Sequence, residues 1–239
     1  MSRVLIGYSC CEKTAEAFAA HGHDVWTCDL LPSRGWRQHL QCDVWQAISL
    51  CDPWDFAVLH PMCTYLTCSA AWAFKDPDFE KYPVIGFHQR VRPGTLVGEA
   101  RREARREALE NFRKLRALPF PVAIENPAIN FVNTQIAQPT QVIHPHEFGD
   151  DASKATGLWL SSGVPRLRPT KNVPPRWVSS GKGSALPRWA NQTDSGQNRL
   201  SPGENRWLER SATYPGIAAA MGDQWGRWLA EGRAKCAEK

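Results

Sequence analysis

The sequence predicts an α/β fold, with a Rossmann-like, mostly parallel sheet and helices on both of its faces. Short apolar runs of strand length alternate with segments of helical periodicity, and turn residues separate them. Strand–helix–strand units of this length imply parallel strands joined by right-handed crossovers. At 239 residues the chain is long enough for one such domain with a sizeable core and a small appendage.

The elements follow from local patterns taken in chain order. The helix that follows the first strand ends at His21-Gly22-His23, where glycine is a natural stop, and the acidic turn Asp52–Asp55 precedes the third strand. The predicted strands cover 4–7, 25–28, 56–59, 121–124 and 156–160, and the predicted helices cover 14–20, 45–50 and 99–118.

The helix predicted over 99–118 is amphipathic. Its apolar stripe consists of Ala100, Ala104, Ala108, Phe112 and Leu115. Arginines alternate with glutamates on the rest of its surface, which favours a solvated, salt-bridged face over a nucleic-acid contact.

Composition restricts the class of protein. No apolar run approaches the length that spans a membrane, and no secretory signal is recognisable. Eight cysteines are scattered through predicted core strands rather than spaced as a disulfide framework, so we expect reduced thiols and a cytoplasmic protein. No cysteine pair has a matching CxxC pair elsewhere, and no metal site is predicted.

Cys63 is the strongest candidate for chemistry. It lies in the run His60-Pro61-Met62-Cys63, directly after the strand over 56–59. Ligands of open α/β sheets bind at the carboxyl ends of the strands, so a cysteine in this loop is well placed to act as a nucleophile. The alternative is a small residue that fills space beneath the loop, since free cysteine is often buried.

A carboxylate follows a later strand. The strand over 121–124 continues into Glu125-Asn126-Pro127, and the proline holds the preceding residue in an extended conformation. A thiolate and a carboxylic acid at neighbouring strand ends are the pair needed to add to a pyrimidine ring and to stabilise the charge that develops on it.

Two further acidic residues lie at strand ends. Asp29 closes the second strand and is placed to accept hydrogen bonds from a ribose, and Asp43 ends the next unit, where it could meet an adenine amino group. Each is also a plausible helix cap or turn residue. The first loop, Tyr8–Lys13, contains no glycine, although nucleotide-binding loops usually need one for close backbone approach.

The order of these features resembles the DNA cytosine-5 methyltransferases, most closely their small phage-encoded members. Cys63 matches the nucleophile of that family, and Glu125-Asn126-Pro127 matches its Glu-Asn-Val tripeptide. Asp29 and Asp43 match its ribose and adenine contacts. The run Tyr214–Met221 resembles its final motif, whose helix packs beside the cofactor. The resemblance covers most of residues 3–160 and 211–229.

The resemblance implies an S-adenosylmethionine-dependent methyltransferase domain over 1–160 and 211–239, with 161–210 as a short irregular target-recognition insert. S-adenosylmethionine is the implied cofactor, and cytosine-containing DNA is the implied partner. The residues implied to bind the cofactor are Tyr8, Ser9, Cys10, Asp29, Leu30, Asp43, Val44 and Pro61.

The sequence departs from the family at three places. Met62 stands where a proline normally precedes the nucleophile, and the first loop lacks the family's glycines. Ser153 and Lys154 stand where the family has arginines before the strand over 156–160, so Lys154 is the candidate donor to a pyrimidine carbonyl.

The mechanism implied by the resemblance explains the residue types. Attack of the Cys63 thiolate on the neighbouring ring position makes carbon 5 of cytosine nucleophilic enough to accept a methyl group. Glu125, protonated or sharing a proton with the ring, neutralises charge on the ring nitrogen, and Asn126 belongs to the same catalytic set. A thiolate near neutral pH requires a hydrogen-bond donor or positive potential around Cys63.

The segment over 161–210 predicts nucleic-acid binding. It contains nine basic residues against three acidic ones, and Trp177, Trp189 and Trp207 are interleaved with them. Charge neutralisation and aromatic stacking are how proteins grip nucleic acid, although a surface loop of incidental charge has similar composition. The residues expected to contact nucleic acid are Arg166, Arg168, Lys171, Arg176, Lys182 and Arg188. The loop over 74–98 is a candidate lid, in which Arg90 and Arg92 could touch phosphate.

Two other functions stay open on the sequence alone. The same cysteine chemistry can modify a free pyrimidine nucleotide or RNA, and the glycine-free first loop leaves the transferred group undetermined. A methyltransferase-like fold can also be retained as a nucleic-acid-binding protein without turnover.

Overall fold

The computed structural model describes residues 1–50, 54–83, 94–179, 183–200 and 212–237, with side chains up to residue 232 in the last range. The chain divides into two compact units. The sheet unit comprises Met1–Pro61, Leu118–Ala128 and Pro139–Lys239, and the helical unit comprises Met62–Ala117 and Ile129–Gln138. The predicted domain limits stay a prediction. His60 and Pro61 belong to the sheet unit, whereas Met62 and Cys63 belong to the helical unit.

A mixed sheet of seven strands forms the sheet unit. The strands are β1 (Arg3–Gly7), β2 (Asp24–Asp29), β3 (His39–Gln41), β4 (Phe56–Leu59), β5 (Val122–Pro127), β6 (Gln141–Ile143) and β7 (Thr156–Leu160), in the spatial order β3-β2-β1-β4-β5-β7-β6. The first five strands pair in parallel, whereas β7 runs antiparallel to both β5 and β6. The predicted α/β class and mostly parallel sheet are confirmed.

Helices cover both faces of this sheet. Alternate residues of β1 point to opposite faces. Val4 and Ile6 belong to the apolar core that contains Phe18 of α1 (Lys13–Ala19). A Cβ added to Gly7, by contrast, would meet Val44, the first residue of α2 (Val44–Leu50). Helices on both faces are therefore confirmed.

The longest helix, α5 (Pro215–Ala237), packs tightly against α1. A Cβ added to Gly222 would lie 2.5 Å from the backbone carbonyl carbon of Ala17, so only glycine allows this approach. His23 also joins the two regions, because its Nε2 donates to the Gly226 carbonyl oxygen at 3.0 Å. Trp225, fully buried, fills the space between α5 and the sheet and contacts Phe56 edge to face.

The helical unit is built on α3 (Gly98–Arg116) and α4 (Val132–Gln135). Phe112 and Leu115 are buried as the apolar stripe predicted, but Ala100 is exposed and Arg101 is buried in its place. The prediction for Ala100 is wrong because aromatic rings from outside the helix cover the Arg101 guanidinium.

The predicted salt-bridged face of α3 is confirmed at its N-terminal half. Arg102 bonds to Glu99 and Asp76, and Arg106 bonds to Glu99 and Glu103. These pairs are exposed to solvent, which screens their charges, so they add little to stability.

The basic segment is less irregular than predicted. Within residues 161–179 and 183–200, it forms an antiparallel hairpin of β8 (Arg176–Ser179) and β9 (Ala185–Arg188). Trp189, just after β9, stacks on His146 with ring centroids 4.0 Å apart, and Asn191 exchanges two hydrogen bonds with the backbone of Ser153. These contacts hold the hairpin of β8 and β9 against the rest of the sheet unit.

None of the helices in the described residues combines the length and apolarity required to cross a bilayer.

Candidate active site

The carboxyl ends of the parallel strands meet where the strand order reverses. The chain runs from β1 to β2 on one side of the sheet and from β4 to β5 on the other, so the switch point lies between β1 and β4. Ligands of open α/β sheets bind in the crevice outside such a point. The loops that begin at Tyr8 and His60 flank it.

The loop after β1 makes its turn without a glycine at the turning residue. Tyr8 adopts φ +59°, in the left-handed region that non-glycine residues rarely occupy. Ser9 N–H then donates to the Cys28 carbonyl oxygen at 2.9 Å, and the Cys10 carbonyl accepts from Arg34 N–H at 3.1 Å. The loop is thereby fixed to the end of β2.

The carboxylate of Glu125 forms the centre of the candidate site. It projects from β5, and its Oε2 accepts a hydrogen bond from His60 Nδ1 at 3.0 Å. His60 follows β4, the parallel neighbour of β5, so the pairing of the two strands brings these side chains together. Both side chains are largely buried, at 11% and 17% exposure.

Charge and burial act on Glu125 in opposite directions. Burial alone would raise the pKa of Glu125, but the positive charge of Lys154 and the hydrogen bond and charge of His60 outweigh it and hold the pKa below its usual value. Glu125 is therefore ionised at neutral pH in the free protein. The sequence-based expectation, in which Glu125 is protonated or shares a proton with the ring, did not include His60.

His60 retains one unused ring atom. Its Nε2 is buried and has no hydrogen-bond partner within the described part of the chain. A buried polar atom without a partner costs free energy of about 1–3 kcal/mol, which a bound group that supplies the missing hydrogen bond recovers.

Asn126, the other predicted catalytic residue of β5, has a positioning contact. It is buried, and its Nδ2 donates to the Pro61 carbonyl oxygen at 2.8 Å. The bond ties the end of β5 to the loop after β4. It fixes the backbone directly before Met62 and Cys63.

A narrow pocket opens at Glu125 within the sheet unit. It is lined by Glu125, Lys154 and Thr156, by Thr213 and Tyr214 directly before α5, and by Ile217 and Met221 of α5. It has room for about one water-sized group, so a larger ligand fits only with part of its surface outside. The final motif predicted to lie beside the cofactor thus reaches Glu125.

Asp150 fixes the start of α5 at this pocket. Its Oδ2 accepts a hydrogen bond from Gly216 N–H at 2.9 Å, which places a carboxylate at the positive end of the helix. A Cβ on Gly216 would collide with the Phe148 carbonyl oxygen, so the contact requires glycine.

Cys63 lies in the helical unit and is exposed. Its carbonyl oxygen accepts from the N–H groups of Leu66 and Thr67, both at 3.0 Å, so Cys63 begins a single helical turn. Arg101 Nη2 donates to the Thr64 carbonyl oxygen at 3.3 Å. The Arg101 guanidinium is therefore in contact with the backbone of the residue after Cys63.

The two predicted cofactor carboxylates each have a local role. Asp29 Oδ1 accepts from Leu31 N–H at 2.9 Å, and Asp43 Oδ1 accepts from Trp45 N–H at 2.8 Å at the start of α2. The second carboxylate oxygen of each has no hydrogen-bond partner among the residues that the structure describes. A ribose hydroxyl and an amino group are donors that these two oxygens would fit.

Of the other predicted cofactor residues, Leu30 is exposed and Val44 is buried. The Val44 side chain contacts Gly7, so a ligand could reach only the backbone of Val44.

The predicted nucleic-acid residues divide into two groups. Arg176 bonds to Asp194 at 2.6 Å, and Arg188 donates to the Asp194 carbonyl oxygen at 3.1 Å, so both stabilise the hairpin segment. Arg166, Arg168 and Lys171 are exposed. Lys182, Arg90 and Arg92 lie outside the described residues.

His60 is the functional residue that the sequence analysis missed. The sequence analysis named it only as part of the run before Cys63. Its position directly after β4, next to the strand that ends in Glu125, was the available signal. No group of three or more His, Cys, Asp or Glu side chains in the described ranges is arranged to hold a metal ion.

In comparisons with known proteins, no protein-family model and no curated protein matches the chain.

Proposed function

We propose that the protein transfers a methyl group from S-adenosylmethionine to carbon 5 of cytosine in DNA, with Cys63 as nucleophile. The observation that carries this proposal is the buried Glu125 carboxylate, held by His60 and Lys154 at the carboxyl end of two parallel strands. Cys63 follows His60 by three residues of chain. The mostly parallel sheet is compatible with a methyltransferase fold, and its strand order reverses between β1 and β4.

The proposed chemistry begins at Cys63. Its thiolate adds to carbon 6 of the ring, and the electron pair of the 5,6 double bond becomes available at carbon 5 and the ring nitrogen. Glu125 accepts a hydrogen bond from the exocyclic amino group. The His60–Glu125 pair gives a proton to the ring nitrogen and stabilises the charge that develops there.

S-adenosylmethionine, when bound, supplies the electrophilic methyl group for carbon 5. Asp29 and Asp43 would hold it through the carboxylate oxygens that have no partner among the described residues. In the final step the carbon 5 proton passes to water and the carbon–sulfur bond breaks. Cys63 leaves as thiolate, and the ring nitrogen returns its proton to the His60–Glu125 pair.

The test traps the covalent step. The full chain is incubated with S-adenosylmethionine and DNA containing 5-fluorocytosine, because fluorine at carbon 5 cannot leave as a proton does. We expect an adduct that survives denaturation, detected by mass spectrometry. Cys63→Ser abolishes it, whereas Cys68→Ser, which alters an equally exposed thiol five residues on, retains it.

Other outcomes separate the alternatives. An adduct with 5-fluorodeoxycytidine monophosphate or RNA but not with DNA moves the substrate to a free nucleotide or RNA. Tight DNA binding without an adduct, and without binding of S-adenosylmethionine, supports a non-catalytic nucleic-acid-binding protein. An adduct that Cys63→Ser retains removes Cys63 from the mechanism.

A further inference from the structure

Two arginines of α3 lie among aromatic rings instead of carboxylates. The Arg105 guanidinium carbon lies 3.3 Å from the ring centre of Phe74 and 3.6 Å from that of Phe131. Arg101, four residues earlier, lies 4.7 Å from Phe74 and 5.4 Å from Tyr65. We name these five residues the arginine–aromatic cluster. All of them belong to the helical unit.

The cluster contrasts with the adjacent, exposed face of the same helix. Arg102 and Arg106 are exposed or half-exposed and bond to carboxylates. Within the described part of the chain, neither Arg101 nor Arg105 has a carboxylate partner, and the Nε atom of each is buried without a hydrogen bond. Arg101 is 5% exposed, and among the described residues its guanidinium donates to the carbonyl oxygens of Leu96 and Thr64, both at 3.3 Å.

Two uncompensated positive charges in a partly buried place are unfavourable. Burial lowers the pKa of both guanidinium groups, and the charge of Arg101 lowers that of Arg105 further. Cation–π contacts offset part of this cost, but they leave the N–H edges of a guanidinium unpaired. An anion that accepts those N–H groups would complete the cluster.

The position of the cluster indicates which anion. Arg101 binds the carbonyl of Thr64, the residue directly after Cys63, so the cluster adjoins the proposed nucleophile within one unit. The substrate of a pyrimidine-modifying cysteine carries a phosphate close to the base. A guanidinium fork matches phosphate oxygens in two parallel hydrogen bonds, and the aromatic rings fix its plane.

We propose that the arginine–aromatic cluster is a binding site for a phosphate group of the pyrimidine nucleotide whose base reaches Cys63. Arg105, which is partly exposed, contacts the phosphate. Arg101 adds charge and positions the turn that begins at Cys63. The assignment of the ligand rests on the proposed function, whereas the site for a phosphate is defined by the cluster itself.

The test measures binding without chemistry. In a Cys63→Ser background and without cofactor, the full chain is titrated with a fluorescein-labelled cytosine-containing DNA oligonucleotide, and deoxycytidine monophosphate and deoxycytidine are compared as competitors. We expect Arg105→Gln to weaken DNA binding about tenfold and to lower the salt slope by about 0.7–0.9, the value for one phosphate contact. Arg106→Gln removes the same charge from the exposed face of α3. It leaves the DNA affinity and the salt slope within about twofold of those of the protein with Arg106.

The competitors distinguish the source of the phosphate. If the site accepts a free nucleotide, the monophosphate competes better than the nucleoside, and Arg105→Gln removes that difference. If it accepts only a strand, the two compete equally and the effect is confined to the oligonucleotide. Arg105→Lys keeps the charge but loses the fork, so its binding falls between wild type and Arg105→Gln.

Several outcomes overturn the proposal. Equal effects of Arg105→Gln and Arg106→Gln reduce the cluster to general surface charge. If Arg105→Gln loses competition by deoxycytidine and also has a lowered unfolding midpoint, Arg105 has a structural role. If the wild-type protein binds no phosphate-bearing probe, the site is excluded. The binding experiment measures no methyl transfer. Failure of the proposed function, seen as a missing covalent adduct, is therefore distinguishable from failure of the phosphate site, seen as unchanged binding in Arg105→Gln.

Discussion

At the scale of single residues, Glu125 shows how neighbouring charge decides the state of a buried carboxylate. Burial favours its neutral form, and Lys154 together with His60 reverses that preference. The ionised Glu125 is instead a hydrogen-bond acceptor for His60 Nδ1. This contact follows from the parallel pairing of β4 with β5.

The lowered pKa of Glu125 predicts a pH-dependent stability. A carboxylate whose pKa is lower in the folded state stabilises the fold above its unfolded value, near 4.5, and this contribution disappears as the pH falls through the folded value. We expect Glu125→Gln to lower the free energy of unfolding by about 1–3 kcal/mol at pH 7, with the loss shrinking below pH 4.5. Urea unfolding from pH 7 to pH 3 measures this.

Glu110→Gln provides the control, because Glu110 is exposed on α3 and pairs only with Arg113 at 3.5 Å. Its effect should stay within about 0.5 kcal/mol at every pH. A difference between wild type and Glu125→Gln that grows as the pH falls would mean that the pKa of Glu125 is raised instead.

At the scale of elements, the contact between α1 and α5 depends on one glycine. Replacing Gly222 by alanine puts a Cβ 2.5 Å from the backbone of Ala17, and backbone cannot move aside as a side-chain end can. We expect Gly222→Ala to lower the free energy of unfolding by about 3 kcal/mol. Chemical denaturation with tryptophan fluorescence is a direct measurement, since Trp225 is buried under α5.

Gly232→Ala is the matched control on the same helix. Nothing lies within 4 Å of the Cβ that it would add, so only helix propensity changes, and stability should rise by up to about 1 kcal/mol. Equal effects of the two substitutions would show that α1 and α5 are not in close contact.

The sequence predicted the long elements and missed those that depend on distant partners. All five predicted strands exist, those over 56–59 and 156–160 with the predicted bounds and the other three with shifted ends, because apolar runs of strand length bury on both faces of a mostly parallel sheet. The strands β3 and β6 have three residues each and exist only through pairing with β2 and β7. The periodicity of apolar residues in the sequence therefore did not predict them.

The candidate site was predictable to the same extent. The strand ends placed Glu125, Asn126 and the carboxylates Asp29 and Asp43. The contact from His60 to Glu125 joins residues 65 positions apart, and the arginines in the buried stripe of α3 depend on rings from other segments. Sequence periodicity counts apolar residues and does not register an arginine covered by phenylalanine.

At the scale of the whole molecule, the proposed cofactor binding would be linked to folding. A ligand that binds only the folded chain stabilises it by about 2.7 kcal/mol at 100 times its dissociation constant. We expect S-adenosylmethionine to raise the free energy of unfolding by this amount, and Asp29→Asn to remove most of the increment. Asparagine keeps the Oδ1 acceptor for Leu31 N–H, so the turn survives. Equilibrium unfolding with and without ligand measures the increment.

Asp24→Asn, at the opposite end of β2, is the control. It removes the ion pair with Arg3, which affects stability equally with and without ligand. An increment retained in Asp29→Asn would exclude Asp29 from the cofactor site.

The sheet unit is assembled from three separated stretches of chain, and this has a consequence for synthesis on the ribosome. The bond between His23 and Gly226 spans 203 positions, so the helix that shields α1 is translated long after α1 itself. At about 5–20 residues per second, the apolar face of the first strand–helix unit waits at least about 10 seconds for its cover. During that interval the nascent chain is a natural client for a chaperone that binds exposed apolar segments.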